Sequence, residues 1–201
     1  MKKILKNYKS IFLFLISSLF ILLSPLQKEY LKLIFVLLFH EMGHIFFLSL
    51  YNVKIDSFNI SILGGFIDSK IDLSIYKELL IYLGGIIFNV ILLMFPLLYR
   101  YSLFIIIFNL LPIYPLDGYN IFKRVLAYFI NYHKAIYISY IISIVLGVIM
   151  IILSIIYLNA LILFNLIYCL ILSIIGYKNI NIEYNRFLFD KFRNYKKKRI
   201  K

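Results

Sequence analysis

The feature that most restricts how this chain can fold is a recurrence of apolar runs about twenty residues long, the length at which a helix rising 1.5 Å per residue crosses the hydrocarbon of a bilayer. The runs are Tyr30 to Tyr51, Leu79 to Tyr99, Tyr101 to Ile113 with its continuation, Lys134 to Tyr157 and Asn159 to Tyr177, preceded by a shorter run from Ser10 to Leu23. Hydrophobic residues make up 63% of the 201 and the mean hydropathy is +0.93, so lipid replaces most of the core that a soluble globule would need. The fold class expected is an all-α polytopic membrane protein with about six transmembrane helices. Residues 1–177 would form the membrane domain and residues 178–201 a basic tail. Only Ser24-Pro25-Leu26-Gln27 follows the first run, with no small-x-small cleavage site, so that run reads as a retained helix and not as a signal peptide.

Two interruptions give the bundle its character. From Asn52 to Asp68, Val53, Ile55, Phe58, Ile60 and Ile62 interleave with Lys54, Asp56, Asn59 and Ser61, and Gly64-Gly65 follows. That alternation suits a small β-hairpin or strand insertion after the second helix. The fourth span is broken by Pro112 and Pro115, with Asp117-Gly118 where it ends. Non-helical backbone at membrane depth must line a cavity or be covered by protein.

A formal charge of +13 invites a nucleic-acid reading, but the basic residues flank apolar spans in the manner of loops held on the cytoplasmic side. With six spans and a cytoplasmic N-terminus, only Lys28, Lys32 and Arg100 of the 22 Lys and Arg residues fall on the outer side. Both termini are therefore expected in the cytoplasm, the partners are the lipid bilayer and proteins within it, and no nucleic acid is expected. The tail combines its basic residues with Phe187, Leu188, Phe189 and Phe192, a composition suited to an anionic membrane surface.

Chemistry concentrates in His40-Glu41-Met42-Gly43-His44, inside the second span. Residues four apart share a helix face, so His40 and His44 can grip one ion with Glu41 beside them. With a single cysteine, Cys169, no Cys-based site can be built, and any metal must use His and carboxylate. The second and fourth spans run in the same direction in this topology. His44 and Asp117 then lie about 21 and 24 Å from the outer ends of their spans, at a matching depth near the cytoplasmic face. His40, His44 and Asp117 complete a ligand set for one Zn2+ with a position left for water, and Glu41 stands as the catalytic general base. Ionisable groups at this depth are costly without such a role. Asn89 and Asn109 are the polar members of apolar spans, read either as helix-to-helix hydrogen bonds or as substrate-binding groups lining the cleft. His133, beside Lys134, reads as solvated.

Together, His40-Glu41-Met42-Gly43-His44, the segment Asn109-Leu110-Leu111-Pro112-Ile113-Tyr114-Pro115-Leu116-Asp117-Gly118 and the order of spans resemble the site-2 protease family of intramembrane zinc metalloproteases, with the stage IV sporulation protein FB branch the most similar. The likeness runs from about Tyr30 to Tyr132. Gly64-Gly65 is similar to the family's Pro-Phe-Gly-Gly hairpin, and Gly84-Gly85 to Asn89 is similar to its Gly-Pro-x-x-Asn span. Leu63 stands where a proline or its neighbour is usual, Ile86 replaces a proline, and Tyr119 stands where a second glycine is common. These departures bear on substrate fit more than on metal binding. The resemblance implies a bacterial membrane endopeptidase that cuts membrane-associated precursors near the cytoplasmic face, such as a sigma-factor precursor, with Gly64 and Gly65 among its substrate-binding positions and membrane inhibitors or regulators as further partners. It also implies a protease core without the nucleotide-sensing CBS pair that typically follows the last span in that branch. The competing reading is a metal-ion transporter that uses the same histidines and aspartate as a transient site, and a further rival is a scaffold protein descended from a protease.

Overall fold

The computed structural model describes residues 27–53, 58–61, 64–67, 74–156 and 160–199. The first apolar run, Ser10 to Leu23, and the lysines before it lie outside the described residues. In chain order the elements are α1 (Gln27–Leu50), β1 (Phe58–Ser61), β2 (Gly64–Ile67), α2 (Ile75–Leu92), α3 (Pro96–Leu110), α4 (Asp117–Phe129), α5 (Tyr132–Ile156), α6 (Ala160–Lys178) and α7 (Ile180–Arg199).

Six spans are not what these elements make. Among the described residues three helices are long and apolar enough to cross a membrane, α1, α2 and α5, or four if α6 and α7, bent by 64° at their junction, count as one. Proline moves the helix boundaries. The apolar run from Leu79 to Tyr99 does not stay helical, because Pro96 opens a new helix and its predecessor Phe95 takes an extended conformation with φ −101° and ψ 109°. A residue before proline is pushed out of the helical region, while proline itself suits the first turn of a helix. The α2 helix therefore ends at Leu92. Arg100, expected between two spans, lies inside α3, an apolar helix of 15 residues. Asp117–Phe129, expected to continue a span, is instead an amphipathic helix that carries Lys123 and Arg124.

Between α1 and α2 runs one antiparallel ladder of two four-residue strands, pairing Phe58 with Ile67, Asn59 with Phe66, Ile60 with Gly65 and Ser61 with Gly64. Among the described residues it is a minor element beside the helices.

The interior is assembled in patches along the helices. Val36 of α1 packs with Leu92 and Ile105, while Leu48 packs with Val53 and Ile81. Ile113 and Leu116, in the break between α3 and α4, are buried against Leu166 and Cys169 of α6. Large apolar side chains such as Leu38, Met94, Leu97, Ile152 and Phe164 face outward. That arrangement would be poor in water and suits a lipid surround.

The contact between α1 and α2 is close enough to exclude side chains. A Cβ placed on Gly43 would overlap the carbonyl of Gly84, and one on Gly84 would meet the carbonyl oxygen of Gly43 at 2.7 Å. Small residues that let helix backbones touch are the usual basis of helix association in lipid, where no hydrophobic force separates helix from solvent. Here the close approach has a local consequence, because it falls one turn from His40 and beside His44.

Candidate metal centre

Helix periodicity puts His40 and His44 on the face of α1 that packs against α2, where they are 2% and 7% exposed. Their rings meet edge to face with centroids 4.9 Å apart, and their Nε2 atoms lie 3.2 Å apart. Room for the first ring comes from Gly85, where any Cβ would meet the His40 imidazole at 2.5 Å. Each ring is held from behind by α2. His44 Nδ1 is 2.7 Å from the Ile81 carbonyl oxygen and His40 Nδ1 is 3.1 Å from the Asn89 amide nitrogen. Asn89 is fully buried, and its own carbonyl is further tied to α3 by a 2.6 Å hydrogen bond donated by Ser102 Oγ.

Asp117 arrives from the opposite direction. Its Oδ2 is 3.0 Å from His40 Nε2 and 3.2 Å from His44 Nε2. It is the first residue of α4, where the orphan N–H groups of the first turn favour a carboxylate. The segment that delivers it is non-helical and is satisfied by side chains from two other helices. Ser143 Oγ on α5 accepts the Tyr114 N–H at 2.8 Å, Ser173 Oγ on α6 lies 3.3 Å from the Tyr114 carbonyl oxygen, and the two hydroxyls are 2.7 Å apart. This satisfies the covering condition for broken backbone at membrane depth.

The α4 helix is then anchored on both sides. Arg124 pairs with Glu78 of α2, and Lys123 Nζ donates to Glu183 Oε1 of α7 at 2.7 Å, while Tyr140 OH donates to the other oxygen of Glu183 at 2.9 Å. Burial opposes the charge on Lys123 and on Arg124, but Tyr132 and Glu183 beside Lys123, and Glu78 beside Arg124, more than offset it, so both cations are held above their ordinary range.

The donor set fits a metal ion. His40, His44 and Asp117 each offer one atom, and all three lie within 4.8 Å of one another. Their mutual separations of 3.0 to 3.2 Å approach the spacing of about 3.3 to 3.4 Å that a tetrahedral ion with bonds of about 2.0 to 2.1 Å sets between its ligand atoms.

Residues singled out in the sequence divide sharply. Glu41 follows His40 on α1 and is partly buried. Asn89 touches the His40 ring. Asn109 donates to the Ile105 carbonyl one turn earlier at 3.1 Å, a local bond within its own helix. Gly64 and Gly65 sit in β2, opposite Ser61 and Ile60. His133 is exposed, with Nε2 3.5 Å from Asn181 Oδ1. Ser143 and Ser173 went unnoticed in the sequence. Their signal was available, since Ser139 and Ser143 are polar residues one turn apart in a long apolar helix.

Fold and site together define an integral membrane protein with a buried His-His-Asp constellation able to hold a metal. No family model and no curated protein matches the sequence. Among solved structures the chain is similar to the Site-2 Protease from Methanocaldococcus jannaschii, with a TM-score of 0.62, 84% of this chain and 88% of that chain covered, and 23% sequence identity. At that identity the likeness is one of fold.

Proposed function

We propose that this chain is an intramembrane zinc metalloendopeptidase. The observation that carries the reading is the convergence of His40, His44 and Asp117 from two elements 77 residues apart in sequence, directly beside Glu41, in a fold like that of a site-2 protease. Zn2+ held by these three would acidify water and polarise a peptide carbonyl. The chain's own residues do the rest. Glu41 takes the proton from water and passes it to the leaving amine, while the packed α1–α2 contact keeps bulk water from the back of both imidazoles. The β1–β2 ladder offers an edge along which an extended substrate segment can pair, since a helical substrate must unwind before its carbonyl is reachable.

The substrates proposed are membrane-associated precursors cut near the cytoplasmic face, with sigma-factor processing of the sporulation type as the finer reading. That assignment rests on the His40 to His44 and Asn109 to Gly118 motifs. A cytoplasmic placement of both the N-terminal and C-terminal segments belongs to the same proposal and rests on the distribution of basic residues.

Purified protein and its Glu41→Gln variant, each incubated with single-span precursors in detergent or liposomes, separate this reading from transport. Expected are fragments with the parent chain only, unaltered zinc content in the variant and a loss of turnover of at least 10²-fold. Zinc uptake into liposomes by both proteins, with no fragment from either, would establish the transporter in place of the protease.

A further inference from the structure

Both histidines present Nε2 to Asp117, and their Nδ1 atoms face α2 in different ways. The partner of His44 is the Ile81 carbonyl oxygen, which can only accept, so Nδ1 of His44 carries a proton and Nε2 is the atom left to bind a cation. The partner of His40 is the side-chain amide of Asn89, which can do either. Its NH2 faces His40 Nδ1, and Nε2 of the same ring lies 3.0 Å from Asp117 Oδ2, a pairing that suits a proton on Nε2. The amide oxygen of Asn89, fully buried, has no hydrogen-bond partner among the described residues.

For His40 to give a cation its Nε2 lone pair, the ring proton must sit on Nδ1 and needs an acceptor there. A half-turn of the Asn89 amide exchanges nitrogen for oxygen in nearly the same volume. The exchange leaves the number of amide hydrogen bonds unchanged, so the position of the His40 proton decides it. We infer that Asn89 is the positioning residue of the metal centre, its Oδ1 accepting the His40 Nδ1–H and fixing the tautomer in which Nε2 is a ligand, as the Ile81 carbonyl does for His44. This rests on the metal-binding reading of the site and assigns Asn89 to the ion, not to the substrate cleft or to helix pairing alone.

Zinc affinity, measured on the full-length purified protein by competition with a chromophoric chelator, tests the inference independently of proteolysis. Asn89→Leu keeps the branched shape and removes the acceptor, and it should bind zinc about 10- to 100-fold more weakly. Asn89→Asp, whose carboxylate accepts the same proton, should stay within about threefold of the parent, a rescue that a packing role would not produce. If Asn89→Leu does not fold, Asn89→Ala carries the same expectation. Parent-like affinity in the variant lacking the acceptor, or an Asn89→Asp chain as weak as Asn89→Leu, overturns the inference. The metal reading fails separately, if the parent binds no zinc or if His44→Ala binds as tightly as the parent.

Discussion

The two halves of the metal site are built on opposite principles. On one side His40 and His44 stand on continuous helix, and their placement follows from four-residue spacing and a backbone-to-backbone contact at Gly43 and Gly84. On the other side Asp117 stands just past a break, and its placement depends on Ser143 and Ser173, side chains from helices far along the chain. The first half is set by local periodicity and by what is missing, namely side chains at the contact. The second is set by hydrogen bonds that tie an irregular segment to its neighbours. A site made this way should fail differently when each half is disturbed.

The largest structural effect is expected at the glycine contact. Gly84→Leu must force apart two backbones, because its Cβ meets the Gly43 carbonyl as well as the Phe47 ring and the carbonyl cannot swing aside, a cost of about 3 kcal/mol or more. Because α2 also carries Ile81 and Asn89, both histidine supports would move together. Zinc binding and thermal stability should therefore be lost in parallel, measured by metal content and by the unfolding midpoint of the solubilised protein. Zinc retained at parental affinity would show that the helix contact does not hold the histidines.

Replacing Ser143 and Ser173 by alanine should separate these two quantities. Leaving the Tyr114 N–H without an acceptor costs about 1 to 3 kcal/mol, and since the two hydroxyls bond each other the double variant should fall short of the sum of the singles. The α1–α2 half is untouched, so the expected outcome is a folded protein with weakened zinc affinity. A chain that loses stability with zinc affinity intact would mean that the break holds its shape without the serines.

This contrast also explains which parts of the molecule were legible in the sequence. The convergence of His40, His44 and Asp117 was, the last because a break at two prolines and the depth of an acid leave few alternatives, and the structure brings its carboxylate within 3.2 Å of both rings. The number of spans was not. A hydropathy run does not register that Pro96 ends a helix and begins another within unbroken apolar sequence, so Leu79 to Tyr99 read as one span where α2 stops at Leu92. Asn89 was visible as a polar residue at depth, but its partner was not, because which face of α2 meets His40 depends on Gly84 and Gly85 packing on α1. The serines were harder still, since what they bond is the backbone of a segment 29 and 59 residues away.

The smallest effect is expected at the far anchor of α4, where Glu183 of α7 receives both Lys123 and Tyr140. Glu183→Gln keeps hydrogen-bonding capacity and removes the charge that faces Lys123. Because Glu183 is about a quarter exposed, at 28%, the loss should be near 1 kcal/mol, well below that of a fully buried pair. Arg124 paired with Glu78 still ties α4 to α2, so the position of Asp117 should survive and zinc affinity should change less than threefold. A larger loss of zinc with only a small drop in unfolding temperature would move the boundary of the second half. The aspartate would then depend on the helix after α6 as well as on the serines, and the segment that delivers it would be held from both of its ends.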